Sequence, residues 1–293
     1  MTDGVSYQPV FYQSADGLTL FARDYGSAGF SKMPVLCLPG LTRSSKDFVT
    51  VTGWLSRHRR VIAADFRGRG RSQYSPDAMT YRPVVELADM IALLDHLKLD
   101  RVAVIGTSRG GIVAMLMAAL HRQRLAGVLL NDVGPRLEAA GLLRIRSYLG
   151  VQMAMNSWNA AVAGLKRTNP GFLNLSDEAW HAFAHRLFID RNGVPGLDYD
   201  VGLAQTFPSL DEITAGKAAE LWELFNSLKG LPVSVLRGEN SDLLSAETVW
   251  EMKSSLEELD ATTIPDRGHV PFLDETESIE AVKRWLTRVD ENS

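Results

Sequence analysis

The segment "VAVIGTSRGGIVAML" places one hydroxyl group between two glycines, in the pattern G-x-S-x-G. A β-branched apolar run ends at Gly106, and an apolar helical run begins just after Gly110. On a sharp turn from strand to helix these glycines are needed, because neighbouring backbone passes too close for a Cβ atom. The same turn raises the central serine above the sheet. We therefore predict that Ser108 is a catalytic nucleophile.

A serine hydroxyl is a weak nucleophile near neutral pH and needs a base beside it. His269 lies in a loop, "DRGHVPF", directly after the last short predicted strand. Such loops on a rigid scaffold often carry catalytic groups. His181 and His185 share one helix face, but no acidic ligand accompanies them, so a metal site is not predicted. We predict that His269 is the base.

An imidazole base needs an acid that holds its tautomer and stabilises the imidazolium. Asp242, in "RGENSDLLS", follows the predicted strand "PVSVL" and is the first candidate. Asp132, at the end of "VLLND", is the alternative, because it also stands at the carboxyl end of a strand. Ligands of open α/β sheets bind at those carboxyl ends.

The tetrahedral intermediate of acyl transfer carries a negative oxygen that needs preorganised hydrogen-bond donors. One predicted donor is the backbone N–H of Arg109, immediately after the nucleophile. The second is the backbone N–H of Leu41, because the preceding Pro39-Gly40 turn can aim it inward. The Arg109 side chain is not assigned to the substrate.

These residues must be positioned by alternating strands and helices. Buried strands such as "PVLCLPG", "RVIAADF" and "RVAVIG" are followed by amphipathic helices, which predicts an α/β fold with a doubly wound, mostly parallel sheet. From about residue 134 to 216 only helical runs and a polar loop, "RNGVPGLDYD", are recognised. We therefore predict a core of residues 1–134 and 217–293 with a helical cap inserted at 135–216. Insertions of this size usually act as lids.

The motifs together resemble the α/β-hydrolase family, in its serine-nucleophile branch with a helical lid. "LPGLTRSS" is similar to the family's oxyanion loop, "GTSRGG" to its nucleophile elbow, and "DRGHVPF" to its histidine loop. The order Ser108, Asp242, His269 is also the family's order. The resemblance implies an open α/β sheet and hydrolysis without a cofactor or metal.

Departures from family patterns narrow the function. Epoxide hydrolases and haloalkane dehalogenases of this fold use an aspartate nucleophile, and Ser108 disfavours both. Carbon–carbon hydrolases often have Trp after the histidine, where Val270 stands here. "DFRGRGRS" could be read as a phosphate-binding loop, but it lacks the Lys-Ser/Thr pair of a Walker motif. The resemblance assigns it to a loop beside the active site.

Composition limits the partners. The 293 residues carry a net charge of −4 and contain 45% hydrophobic and 23% charged residues, which is typical of a globular protein and predicts no nucleic-acid or membrane partner. Cys37 is the lone cysteine and is interpreted as buried packing. No signal-peptide pattern opens the sequence, so a cytoplasmic location is expected. The oligomeric state is left open.

The sequence thus predicts a serine hydrolase that cleaves a small or medium carboxylic ester or lactone through an acyl-enzyme. Two alternatives remain: a carbon–carbon hydrolase or enol-lactonase of aromatic catabolism, and a slow-turnover ligand-binding receptor. The predicted cap supplies apolar candidates for the pocket lining, and the sequence does not show which of them face inward; they are Trp158, Trp180, Leu142, Leu143 and Met153.

Overall fold

The computed structural model describes residues 5–26, 29–151, 155–216 and 220–292. Its strands, in chain order, are β1 (Gln8–Gln13), β2 (Thr19–Tyr25), β3 (Val35–Leu38), β4 (Val61–Asp65), β5 (Val102–Thr107), β6 (Leu125–Asn131), β7 (Phe188–Arg191), β8 (Val194–Leu197), β9 (Val233–Gly238) and β10 (Asp260–Ile264). Eight of them form one sheet in the order β1-β2-β4-β3-β5-β6-β9-β10. β1 and β2 pair antiparallel, β2 pairs antiparallel with β4, and the remaining neighbours are parallel.

Helices lie on both faces of this sheet and in the segment between β6 and β9. In chain order they are α1 (Val49–Leu55), α2 (Pro83–His96), α3 (Arg109–Leu120), α4 (Ala139–Tyr148), α5 (Trp158–Thr168), α6 (Asp177–Leu187), α7 (Leu210–Thr214), α8 (Trp222–Asn226), α9 (Ala246–Ser255) and α10 (Thr276–Glu291). One apolar core joins the sheet to α2, α3, α8 and α9, and a second joins the other face to α1 and α10. Both faces of the central strands are therefore buried, which explains their continuous apolar runs. The predicted doubly wound α/β fold is confirmed.

The chain leaves the sheet after β6 and returns at β9, its neighbour. The elements between them include α4, α5, α6 and α7, of which α4 to α6 carry residues that line the cleft described below. One expectation here was wrong: the polar loop "RNGVPGLDYD" contains most of the β7–β8 hairpin. Asn192 and Gly193 both have positive φ, as a two-residue type I′ turn requires. The Asn-Gly pair was the signal for it.

Cys37 lies in β3 and is fully buried, as its interpretation as packing requires. Burial raises the pKa of its thiol well above the usual value, so the group stays protonated and unreactive. Within the described ranges, no helix combines the length and the apolar character that crossing a bilayer needs.

Candidate active site

Ser108 occupies the corner between β5 and α3. Its backbone has φ 49° and ψ −111°, a conformation that non-glycine residues rarely adopt. A Cβ on Gly106 would lie 2.7 Å from the Gly110 carbonyl carbon, and one on Gly110 would overlap the Leu38 carbonyl. Close backbone contacts therefore explain why glycine is required at both positions, as predicted. The same contacts hold the serine in its strained conformation.

His269 lies in the loop between β10 and α10, and its Nε2 is 2.9 Å from the Ser108 hydroxyl oxygen. The Glu275 carboxylate holds this loop, because it accepts hydrogen bonds from the backbone N–H of Phe272 and from Arg267. The ring is thus placed by an anchored loop, within hydrogen-bonding reach of the nucleophile.

Asp132 directly follows β6 and lies against the His269 ring. Its Oδ2 is 2.8 Å from Nδ1 of His269, and its carboxylate is fully buried. The backbone N–H of Gly238 donates to Oδ1 at 2.8 Å, and the Ser241 hydroxyl donates to Oδ2 at 2.6 Å. These donors offset the cost of burying a charged group, and they fix the carboxylate towards the ring.

Asp242, the first candidate for the acid, does not contact His269, and that expectation is corrected. Its carboxylate instead forms a bidentate pair with Arg144, with Nε–Oδ2 at 2.5 Å and Nη2–Oδ1 at 2.8 Å. Burial alone would raise the pKa of Asp242, but the Arg144 hydrogen bonds and charge outweigh it and hold that pKa below its usual range. The alternative residue, Asp132, occupies the place against the imidazole.

Sequence reasoning missed three residues of the site, which are Ser241, Arg144 and Tyr148. Ser241 supports Asp132, and its neighbour Asp242 turns away towards α4. Arg144 and Tyr148 are four residues apart on α4, and both line the cleft beside Ser108. That i, i+4 spacing was a readable signal for one shared helix face.

The two predicted oxyanion donors lie next to the nucleophile. Leu41 lines the cleft together with Ser108, and a Cβ on Gly40 would be 3.9 Å from the Ser108 Cβ. Arg109 begins α3, and its side chain points away from the cleft to Glu86, with Nε 2.7 Å from Oε2. This contact agrees with the expectation that the Arg109 side chain does not bind substrate. The oxyanion roles of the Leu41 and Arg109 backbone N–H groups remain predictions.

The arginines of "DFRGRGRS" are occupied by protein groups. Arg67 pairs with Asp16 and Asp89. Arg71 lies over the rings of Phe11 and Phe21. These contacts disfavour the phosphate-loop reading.

The third arginine of that loop, Arg69, lies near the site. Its Nε donates to the Leu41 carbonyl at 2.8 Å, which fixes the loop that carries one predicted oxyanion donor. This contact agrees with a place beside the active site.

The cleft above Ser108 encloses about 930 Å³, including its open mouth. Its walls combine the core loops with the segment between β6 and β9. The lining residues are Gly40, Leu41, Thr42, Arg43, Thr107, Ser108, Arg144, Ile145, Tyr148, Val151, Leu165, Thr168, Asn169, Phe183, Leu187, Phe188, Leu197, Tyr199, His269 and Val270. Most of these side chains are apolar, so the cleft suits a compact ligand with an apolar part.

The described lining of the cleft lacks four of the five candidates from the predicted cap, namely Trp158, Trp180, Leu142 and Leu143. Trp180 is buried in an apolar cluster of α5 and α6, and Trp158 stacks on His185 at 3.8 Å between ring centroids. Leu142 and Leu143 belong to a cluster with Ile213. Met153 lies outside the described residues. The four described side chains pack against neighbouring elements, and other residues of the same helices line the cleft.

No group of three or more His, Cys, Asp and Glu side chains that could hold a metal occurs in the described part of the chain. His185 instead stacks on Trp158, and burial lowers its pKa.

Comparison with known proteins places these features in context. A model of the alpha/beta hydrolase family matches residues 35–282. The chain is 35% identical over 259 residues to a 3-hydroxybutyrate-oligomer hydrolase of Cupriavidus necator, covering 86% of this chain and 88% of the relative. An alpha/beta hydrolase of Novosphingobium aromaticivorans superposes with a TM-score of 0.89 at 38% identity, covering 97% of this chain and 99% of the other.

A shorter similarity points to another reaction class. The chain is 40% identical over 102 residues to the 2-hydroxy-6-oxo-2,4-heptadienoate hydrolase of Pseudomonas putida. This match covers 34% of this chain and 36% of the relative. It supports common ancestry of that part.

Proposed function

Because this chain belongs to the alpha/beta hydrolase family and is a hydrolase, we propose that it cleaves carboxylic esters with Ser108 as nucleophile, His269 as base and Asp132 as acid. The observation that carries the proposal is the continuous relay of 2.9 Å from Ser108 to His269 and 2.8 Å from His269 to Asp132. These lengths suit proton transfer through hydrogen bonds.

The chemistry follows from these contacts. His269 Nε2 takes the proton of Ser108 while Oγ attacks the ester carbonyl, and Asp132 stabilises the imidazolium. The backbone N–H groups of Leu41 and Arg109 hold the oxyanion. His269 then protonates the leaving alcohol, and an acyl-enzyme remains on Ser108. Water, deprotonated by the same imidazole, attacks the acyl carbonyl. The imidazolium then returns that proton to Ser108 Oγ as the acid leaves.

The cleft and the comparisons support a small or medium ester or lactone as substrate. Apolar walls such as Ile145 and Leu165 suit short alkyl groups. The relative in Cupriavidus necator is named for the hydrolysis of 3-hydroxybutyrate oligomers, whose units are joined by esters. We take the linear dimer of 3-hydroxybutyrate as the first test substrate. Residues 135–216 form the proposed cap, and those of them that line the cleft would select the substrate.

Labelling with a fluorophosphonate probe tests the nucleophile. The wild-type protein should be labelled on Ser108, and Ser108→Ala should lose labelling and lose turnover of p-nitrophenyl esters by several orders of magnitude, on the order of 10⁶-fold. Circular dichroism checks that the variant folds. A folded wild-type protein that resists the probe contradicts the assignment.

Carbon–carbon hydrolysis is the second candidate, because of the 102-residue similarity to the heptadienoate hydrolase. Vinylogous diketones assayed beside p-nitrophenyl esters separate the two reactions. Turnover of the diketone at a higher kcat/KM than any ester would favour the second candidate.

A further inference from the structure

The cleft is lined by basic side chains. Arg43, Arg144 and His269 line it, and no Asp or Glu is present among its described lining residues. A cation in a largely apolar wall loses hydration, so its presence there requires compensation. Asp47 and Asp242 supply part of that compensation, and an anionic ligand would add to it in the bound state.

Arg144 is held in a defined orientation. Its Nε and Nη2 are engaged by Asp242, which does not itself line the cleft, and Nη1 takes no part in that pair. The Arg144 side chain is 18% exposed. Asp242 therefore holds the Nε–Nη2 edge of the guanidinium, while Arg144 itself forms part of the cleft wall. This is the geometry of an arginine prepared to bind a planar anion.

Two further side chains surround the same position. Tyr148, one turn along α4 from Arg144, also lines the cleft. Burial raises the pKa of the Tyr148 phenol, which therefore keeps its proton and can donate it to an acceptor. Arg43 is paired with Asp47 at 2.6 Å and lies over the Phe183 ring, 5.0 Å from its centroid.

We propose that Arg144, oriented by Asp242, is a specificity-determining residue that binds a free carboxylate of the ester substrate inside this cleft. The substrate class is thus an ester of a hydroxy acid, or of a dicarboxylic acid, whose second carboxylate remains ionised. The inference rests on the proposed ester hydrolysis at Ser108. Arg43 and Tyr148 contribute charge and a donor to the same subsite.

The test compares two substrates that differ only in charge. One is the 3-hydroxybutyrate dimer with its terminal carboxylate, and the other is the same dimer with a terminal primary carboxamide. Released 3-hydroxybutyrate is measured by chromatography and divided by two for the carboxylate dimer, because each cleavage of that dimer releases two molecules and each cleavage of the carboxamide releases one. Wild-type protein should prefer the carboxylate by about 10- to 100-fold in kcat/KM, the range of a charge-assisted hydrogen bond.

The variant Arg144→Gln should bring that ratio to within about threefold of unity, mainly through a higher KM for the carboxylate, and Arg144→Lys should restore part of it. Arg146→Gln is the matched control. It lies on the same helix, donates to the Ala204 carbonyl at 3.0 Å and does not line the cleft, so it should keep the wild-type ratio.

The outcomes separate the two proposals. Equal turnover of both dimers by wild-type protein, or a ratio that survives Arg144→Gln, overturns the carboxylate subsite and leaves ester hydrolysis intact. No turnover together with no fluorophosphonate labelling overturns both. If Ser108 is labelled but neither dimer turns over, the decisive assay is inhibition of p-nitrophenyl acetate hydrolysis by butyrate and by butyramide. Inhibition by butyrate and not by butyramide, weakened in Arg144→Gln, supports the subsite. Equal inhibition by the two compounds refutes it.

Discussion

At the residue scale, the relay depends on which of two carboxylates reaches the imidazole. Asp132 accepts hydrogen bonds from His269, Ser241 and the Gly238 N–H, while Asp242 is engaged by Arg144. Both residues follow strand ends in the same region of the sheet, so residue type and placement along the chain did not separate them. The side-chain directions did.

The first prediction separates the two acids. Asp132→Asn should lower kcat for a p-nitrophenyl ester by about 10⁴-fold, because the amide favours the wrong tautomer of His269. Asp242→Asn should lower kcat for the same ester by at most about 10²-fold, because Arg144 would be displaced. Steady-state kinetics on both variants, with labelling as a check on Ser108, measures this. The reverse order of losses would return the role to Asp242.

At the element scale, the corner between β5 and α3 is held by backbone contact. Gly110→Ala should destabilise the protein by about 1–3 kcal/mol, because its Cβ would overlap the Leu38 carbonyl and force backbone shifts. Gly164→Ala on α5 is the control, because the nearest atom to its Cβ would be Arg167 Nη2 at 3.9 Å. Urea unfolding measures both, and equal stability of the two variants contradicts the prediction.

A buried charge cluster joins three elements behind this corner. Glu86 on α2 is fully buried, 2.7 Å from Arg109 Nε at the start of α3 and 2.8 Å from Arg69 Nη1 in the loop after β4. The second contact is an ion pair whose angle does not suit a hydrogen bond. Burial alone would raise the pKa of Glu86, but the charges of Arg109 and Arg69 hold it below its usual range.

Glu86→Gln should therefore cost about 3–5 kcal/mol at pH 7, because two buried guanidinium groups lose their anion. A carboxyl group whose pKa is lowered on folding stabilises the protein above its unfolded pKa of about 4.3, and this contribution is lost as pH falls through the folded value. The gap between wild type and variant should thus narrow below about pH 4. Glu257→Gln, at an exposed position, should change stability by less than about 0.5 kcal/mol. A gap that stays constant with pH rejects the electrostatic explanation.

At the scale of the whole molecule, the segment between β6 and β9 is tied to the core on one side of the cleft. The Gly70 N–H donates to the Asp198 carbonyl at 2.9 Å, and the Asp200 N–H donates to the Gly68 carbonyl at 2.8 Å. The Tyr81 hydroxyl donates to the Asp200 carboxylate at 2.5 Å, and Lys46 pairs with Asp198 at 2.8 Å. These contacts fix one wall of the cleft to the loop that carries Arg69.

Removing one of these contacts should lower the stability of the whole protein. Tyr81→Phe should lower the free energy of unfolding by about 1–3 kcal/mol, since Asp200 Oδ2 loses its hydroxyl donor and the Ser75 N–H loses its acceptor. Hydrogen exchange should also rise at residues 198–203. Tyr74→Phe, at an exposed tyrosine, is the control with an expected change under about 0.5 kcal/mol. Unchanged exchange at 198–203 in Tyr81→Phe argues against this tie.

The sequence by itself determined the strands of the main sheet, the serine corner and the histidine loop, but not the β7–β8 hairpin. The apolar run that ends at Gly106 is a local signal, because burial on both faces and a tight backbone turn restrict which residues fit. Only the tertiary structure decided that Asp132 faces His269, that Asp242 holds Arg144, and which cap side chains line the cleft. Those contacts depend on the directions of side chains on elements that are far apart in the chain. The sequence around an aspartate at a strand end does not indicate which partner its carboxylate will contact.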